Sequence, residues 1–199
     1  MVRLDVAVAR WLEAHGTELG ESIFSRVSWL GAPALDVIIA VAVILFALRR
    51  QWLSAAALAL ATIGGSVLNH ILKPLFHRGR PETAWEFIHH PSWSFPSGHA
   101  MSSLVGYGFL AMLLLERRSD RPARIAIVAV AVVLIAITGF SRLYLGVHYL
   151  SDVVGGYLAG AVWLVVCIAG YHVDQTRVHL RARASKVSVA ASGSREARL

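Results

Sequence analysis

The chain has 199 residues, of which 56% are hydrophobic and only 16% charged. Soluble domains run at roughly 45–50% apolar and about 25% charged, so this composition disfavours a soluble globular enzyme, and it excludes a disordered chain, which would lack apolar residues. The net charge of +7 would suggest nucleic acid in a soluble protein, but here its placement decides, and the lone cysteine, Cys167, excludes an intrachain disulfide or a zinc–cysteine cluster. In chain order, residues 1–32 read as one or two amphipathic helices lying at a membrane interface. Leu4, Val8, Trp11 and Leu12 share one helical face, Arg3, Asp5, Arg10 and Glu13 lie elsewhere, and Ile23, Val27 and Leu30 repeat the pattern. The alternative for this stretch is a sixth spanning helix. No basic segment precedes an uninterrupted apolar core, so a cleaved signal peptide is not expected.

Five apolar runs follow: about Ala34 to Leu48, Trp52 to Leu72, Ala100 to Leu115, Ile125 to Phe140 and Leu150 to Tyr171. A helix crosses a bilayer with about 20 apolar residues. The second, fourth and fifth runs are long enough, and the first and third need flanking residues. The runs are continuous rather than alternating and rich in Ala and Leu, which predicts helices, not strands. The expected fold class is therefore all-α, an integral membrane bundle of about five spanning helices forming one domain over residues 1–174. Residues 175–199 read as a basic, irregular cytoplasmic tail. With five spans and the N-terminal segment outside, Lys and Arg concentrate inside: Arg49 and Arg50, then Arg117, Arg118, Arg121 and Arg124, then the tail. That bias predicts a multi-pass protein of the inner or plasma membrane with a cytoplasmic C-terminus. It also makes the basic excess topological, so no nucleic-acid partner is expected.

The two outer segments are unusually polar. One holds Lys73, His77, Arg78, Arg80, Glu82, His89, His90, Ser97 and His99, and the other Ser141, Arg142, His148 and Asp152. Ionisable residues at the edge of an apolar bundle are costly and mark working sites. Lys73, Arg80 and Arg142 suit a doubly charged anion, and Arg offers a planar fork matched to phosphate oxygens. Ser97-Gly98 opens a helix and exposes backbone N–H groups, an arrangement that binds phosphate. His148 and Asp152 stand four apart and share a helical face. A carboxylate on one ring nitrogen fixes the tautomer and leaves the other nitrogen to act as nucleophile, base or metal ligand. Taken singly, each has a plainer reading: Lys73 and Arg142 as helix-end snorkelers, Asp152 as a cap, Ser97-Gly98 as a turn. His70, beside Asn69, reads as a satisfied interhelical contact, and Trp85, Phe87, Trp93 and Phe95 read as an interfacial belt or a lipid entrance.

In order, these residues form a three-part pattern: Lys73-x6-Arg80-Pro81, Pro96-Ser97-Gly98-His99, and Ser141-Arg142-x5-His148-x3-Asp152. The pattern resembles the signature of the type 2 phosphatidic acid phosphatase superfamily, which includes lipid phosphatases, glucose-6-phosphatase and vanadium haloperoxidases. The resemblance covers residues 73–152 and fills every signature position. It implies that His148 is a nucleophile forming a phosphohistidine, that Asp152 orients it, and that His99 is the general acid. It also implies that Lys73, Arg80, Arg142, Ser97 and Gly98 cradle the phosphate, with no metal or cofactor. The expected activity is hydrolysis of a lipid phosphomonoester or pyrophosphate at an outward-facing site. Candidate substrates are phosphatidic acid, phosphatidylglycerol phosphate and undecaprenyl pyrophosphate. Three other readings stay open: a sugar-phosphate phosphatase, a metal-dependent membrane hydrolase using the His148/Asp152 pair, and a non-enzymatic lipid-binding or transport protein. Oligomeric state is not readable. Gly155, Gly156 and Gly160 permit close helix packing within the bundle.

Overall fold

The computed structural model describes residues 2–81 and 93–196. Among the described residues, seven α-helices follow one another: α1 Val2–His15, α2 Glu18–Ser28, α3 Pro33–Leu48, α4 Trp52–Phe76, α5 Gly98–Leu115, α6 Arg121–Tyr144 and α7 Leu150–Glu196. A single 3₁₀ turn, Trp29–Gly31, joins α2 to α3. Helix boundaries follow local chemistry. Thr17 caps α2 by accepting the Gly20 N–H, and the Asp120 carboxylate caps α6 by accepting the Ala123 N–H. Pro33 opens α3, where its missing N–H costs nothing. Pro74 lies in the last turn of α4, which stops at His77 in the left-handed region.

Five helical stretches are long and apolar enough to cross a membrane: Glu18–Leu48, Trp52–Phe76, Gly98–Leu115, Arg121–Tyr144 and Leu150–Arg177. The protein is a multi-pass, all-helical membrane bundle, as its composition predicts. The first stretch lengthens the Ala34–Leu48 run, because a helical path leads into it from Glu18. The outer faces are apolar: Leu60, Ile63, Val130, Val132, Leu158 and Val162 are all exposed. In water this would be a large unpartnered surface, whereas in lipid it is the solvent-facing side. α7 continues as backbone helix to Glu196, through the residues expected to form an irregular tail, well beyond the apolar run Leu150 to Tyr171.

α5 is the central helix, packed against α4, α6 and α7. Val105, Phe109 and Leu113 on it are fully buried, with Leu58 and Ala61 of α4. Small residues set the approach. A Cβ on Gly156 of α7 would lie 2.6 Å from the Ser97 carbonyl oxygen, and one on Gly160 3.2 Å from that of Met101. Gly155 receives the Phe95 ring, which also meets Phe76 edge-on. Phe95 is thus a packing residue between α4 and α7, while Trp93 is exposed against His77. Trp85, Phe87, Glu82, His89 and His90 lie outside the described residues.

One local expectation is corrected. His70 is exposed and bonds the Ser66 carbonyl of its own helix, whereas Asn69 makes the interhelical contact, donating to the Pro96 carbonyl at 3.3 Å. A residue one position along a helix turns about 100°, so only one of the pair can face the neighbour. In α1 the buried residues are Asp5 and Leu12, while Leu4 and Trp11 point away from the bundle. The apolar stripe is therefore split, Leu12 packing inward beside the Asp5 carboxylate while Leu4 and Trp11 face outward.

Candidate active site

An up-and-down course brings the three motif segments to one end of the bundle. α4 ends there with Lys73, α5 begins there after Pro96-Ser97, α6 ends there with Arg142, and α7 begins there just after His148. The sharp link from α6 to α7 depends on Gly146, whose φ of 65° lies where side chains are disfavoured. Ser97 binds the two motif helices directly, its N–H donating to the Asp152 carbonyl at 3.0 Å.

His148 is 5% exposed and Asp152 fully buried, with His148 Nδ1 3.5 Å from Asp152 Oδ2. That is the outer limit of hydrogen bonding, and Nδ1 has no closer partner among the described residues. Nε2 is the ring nitrogen turned away from the carboxylate. Burial, reinforced by the Arg80 and Arg142 charges, lowers the His148 pKa to about 4 against the pull of Asp152. The imidazole is neutral at physiological pH. Asp152 is held on every side: Oδ2 accepts from Ser94 Oγ and from the Tyr149 N–H at 2.9 Å, and Oδ1 accepts from Arg78 Nη1 at 2.7 Å.

Around this pair stand the cations. Arg80 Nη1 donates to the Val147 carbonyl at 3.0 Å, beside His148, and burial holds its pKa below the usual guanidinium value. Lys73 Nζ donates to the Trp93 carbonyl at 2.7 Å. Arg142 is 6% exposed, and Nη1 donates to Ser28 Oγ of α2. Ser97 occupies the N-cap of α5, yet its hydroxyl makes no capping bond. Among the described residues, Ser97 Oγ and Arg142 Nε are buried polar atoms without a hydrogen-bond partner. A buried donor left unmade costs about 1–3 kcal/mol, so such atoms indicate a ligand that accepts from them. The first-turn N–H of Gly98 lies at the same helix start, where intrahelical acceptors are lacking.

His99 stands on the other side of α5's first turn. A Cβ on Gly31 would meet its Cδ2 at 2.9 Å, so the 3₁₀ turn presses directly on the ring. Tyr107 fixes that turn by donating to the Leu30 carbonyl at 2.6 Å. His99 also ends a cavity of about 610 Å³ between α3, α4 and α5, lined mostly by Leu35, Ile39, Val43, Ile63 and Val67, with Asp36 and Ser66 among its polar groups. Among the described residues, no group of three His, Cys, Asp or Glu side chains is arranged to hold a metal ion.

The structure thus gathers all eight residues singled out from the sequence at one end of the bundle. Sequence reasoning missed the roles of Asp5, Ser28, Arg78, Ser94 and Ser151. Arg78 carried one signal, a third cation within the polar outer segment, but its partners lie more than 70 positions away.

Fold and site together define a membrane-embedded helical bundle that gathers a buried histidine–carboxylate pair and several cations at one end. The chain belongs to the PAP2 superfamily, whose family model matches residues 54–175. It is 33% identical over 142 residues to phosphatidylglycerophosphatase B of Bacillus subtilis, covering 69% of this chain and 68% of the relative. It is 38% identical over 116 residues to decaprenylphosphoryl-5-phosphoribose phosphatase of Mycobacterium tuberculosis, covering 57% of each chain. Among solved structures, it is similar to the transmembrane PAP2-type phosphatidylglycerolphosphate phosphatase of Bacillus subtilis. The TM-score is 0.71 at 28% identity, over 83% of each chain. The Aquifex aeolicus LpxE structure shares the fold, with a TM-score of 0.65 at 24% identity over 83% of this chain and 95% of that one. Its family, its phosphatase relatives and its five spanning helices together make the chain a membrane phosphatase.

Proposed function

We propose that this enzyme removes a phosphate from a phosphorylated lipid through a phosphohistidine at His148. The observation that carries the reading is the pocket itself: a neutral, buried imidazole backed by a carboxylate, facing buried donors that lack acceptors. A phosphate dianion would accept from Ser97 Oγ, the Gly98 N–H and Arg142, with Lys73 and Arg80 adding charge. Phosphoryl transfer spreads negative charge over the equatorial oxygens, so fixed cations and backbone donors supply much of the acceleration.

In the first step Nε2 of His148 attacks phosphorus, and the P–N bond forms as the P–O bond to the leaving group breaks. His99 donates its proton to the departing oxygen. Water then attacks the phosphohistidine, the P–N bond breaks, and His99 takes the water's proton as inorganic phosphate forms. The apolar cavity ending on His99 lies where the leaving group must go, which favours a lipid over a free sugar. The relatives' names give the same range of substrates, including phosphatidylglycerophosphatase, lipid A 1-phosphatase and undecaprenyl-diphosphatase. The Lys/Arg bias supports an extracytoplasmic position for this end of the bundle and a cytoplasmic C-terminus. The domain reading is one phosphatase unit over residues 1–174 followed by a basic segment.

The test is phosphate release in detergent from a panel of phosphatidic acid, phosphatidylglycerol phosphate, undecaprenyl pyrophosphate and a sugar phosphate. His148→Ala, His99→Ala and Arg142→Ala should each lose at least about 10²-fold in kcat/KM on the best substrate. Full activity of His148→Ala would exclude the covalent route.

A further inference from the structure

We infer that Asp5, on the helix that opens the chain, is a positioning residue that acts through Arg78 and Ser151 on Asp152 and so on His148. The inference rests on the reading of His148 as the phosphoryl acceptor.

α1 has no packing need for a buried acid, yet Asp5 is only 3% exposed. A carboxylate leaves water only when it is fully paired. Asp5 is: Oδ1 accepts the Ser151 N–H at 2.9 Å, and Oδ2 accepts Ser151 Oγ at 2.6 Å and Arg78 Nη2 at 2.7 Å. Burial alone would raise its pKa, but the Ser151 and Arg78 hydrogen bonds outweigh burial and hold it below the usual carboxylate value. The other amino group of Arg78, Nη1, donates to Asp152 Oδ1 at 2.7 Å and to Ser151 Oγ at 2.5 Å. Its guanidinium plane lies over the Tyr149 ring, 4.5 Å from the centroid. One rigid fork therefore bridges two carboxylates, with one amino group on each.

Two consequences follow for His148. Asp5 caps the first turn of α7 from a different helix, fixing the backbone at the position just before Asp152. It also takes half of the Arg78 charge. Without Asp5, the guanidinium would pair with Asp152 alone and draw that carboxylate from a histidine contact already stretched to 3.5 Å. Lys73 and Arg142 bond the Trp93 carbonyl and Ser28 Oγ rather than Asp5 or Arg78, so the main effect of losing Asp5 falls on the histidine.

Asp5→Asn separates the two roles, because the amide oxygen can still cap Ser151 while the charge is gone. The full-length protein in detergent is assayed for phosphate release from a short-chain phosphatidic acid, alongside His148→Ala. Asp5→Asn should stay folded, lose on the order of tenfold in kcat and keep KM within about twofold, as removal of an outer partner of a reacting group does. Asp5→Glu should recover part of the loss. In an Arg78→Gln background, Asp5→Asn should cost little more, since the link is already cut. Wild-type kcat in Asp5→Asn would overturn the inference, as would an equal loss in the Arg78→Gln background. An active His148→Ala would instead overturn the reading of His148 itself.

Discussion

His148 combines burial, a carboxylate neighbour and two nearby guanidinium groups, and burial dominates. An ordinary imidazole titrates near 6.5, while this one is held down to about 4. On the proposed route the neutral form attacks, so kcat/KM should persist well below pH 6.5 and fall only as pH approaches about 4. The sign for stability is the same. The unfolded chain takes up the proton near 6.5 and the folded chain near 4, so acidification across that window favours unfolding. A pH–rate profile and apparent Tm values in detergent check both limbs, and an acid limb near 6.5 would contradict the burial argument. The residue types of the pocket were legible because the chemistry of phosphate constrains them: cations, a helix start with Ser-Gly, and a histidine one turn from a carboxylate. Asp5 was not legible. On a helical wheel it is one more polar residue, and only its contacts with Ser151 and Arg78 give it a role.

At the scale of elements, the α5–α7 contact sets the distance between the two halves of the pocket. Gly156 makes that contact, with its Cα over the Ser97 carbonyl, one turn of α7 beyond Asp152. Gly156→Ala would place a methyl 2.6 Å from that oxygen, which backbone cannot yield cheaply. Overpacking of this kind typically costs about 1–3 kcal/mol, and here it also parts Ser97 from Asp152. A lower Tm with a drop in kcat of about tenfold or more is expected. Gly170→Ala is the contrast in the same helix: nothing lies within 4 Å of the added methyl, and alanine is the better helix former by roughly 1 kcal/mol. That variant should keep its activity and melt no lower. The sequence shows these glycines as permission for close packing. Which of them is used depends on the neighbour each one faces.

At the scale of the molecule, the amphipathic N-terminal segment packs onto the end of the bundle that carries the motif residues. Asp5 reaches α7, Ser28 reaches Arg142, and Gly31 presses on His99. Their shared end of the bundle has one membrane side. With Cys167 replaced by Ala, single cysteines at Gly79→Cys and Ser119→Cys report it. An impermeant maleimide should label Gly79→Cys on intact cells and Ser119→Cys only after lysis. The reverse pattern would put the pocket in the cytoplasm.

The sequence alone determined the solvent and the fold class, and it named the residues of the candidate site. Hydropathy over some 20 residues is a local sum, helical spacing is a local geometry, and the order of the motif residues is written in the chain. Tertiary structure decided what those residues touch. The charge pairing of Arg78 with Asp5 and Asp152, the unpartnered donors of Ser97 and Arg142, and the cavity ending on His99 all arise between helices far apart in sequence. A hydrogen bond across such a separation leaves no periodicity to read, because its energy depends on distance and burial rather than on spacing along the chain.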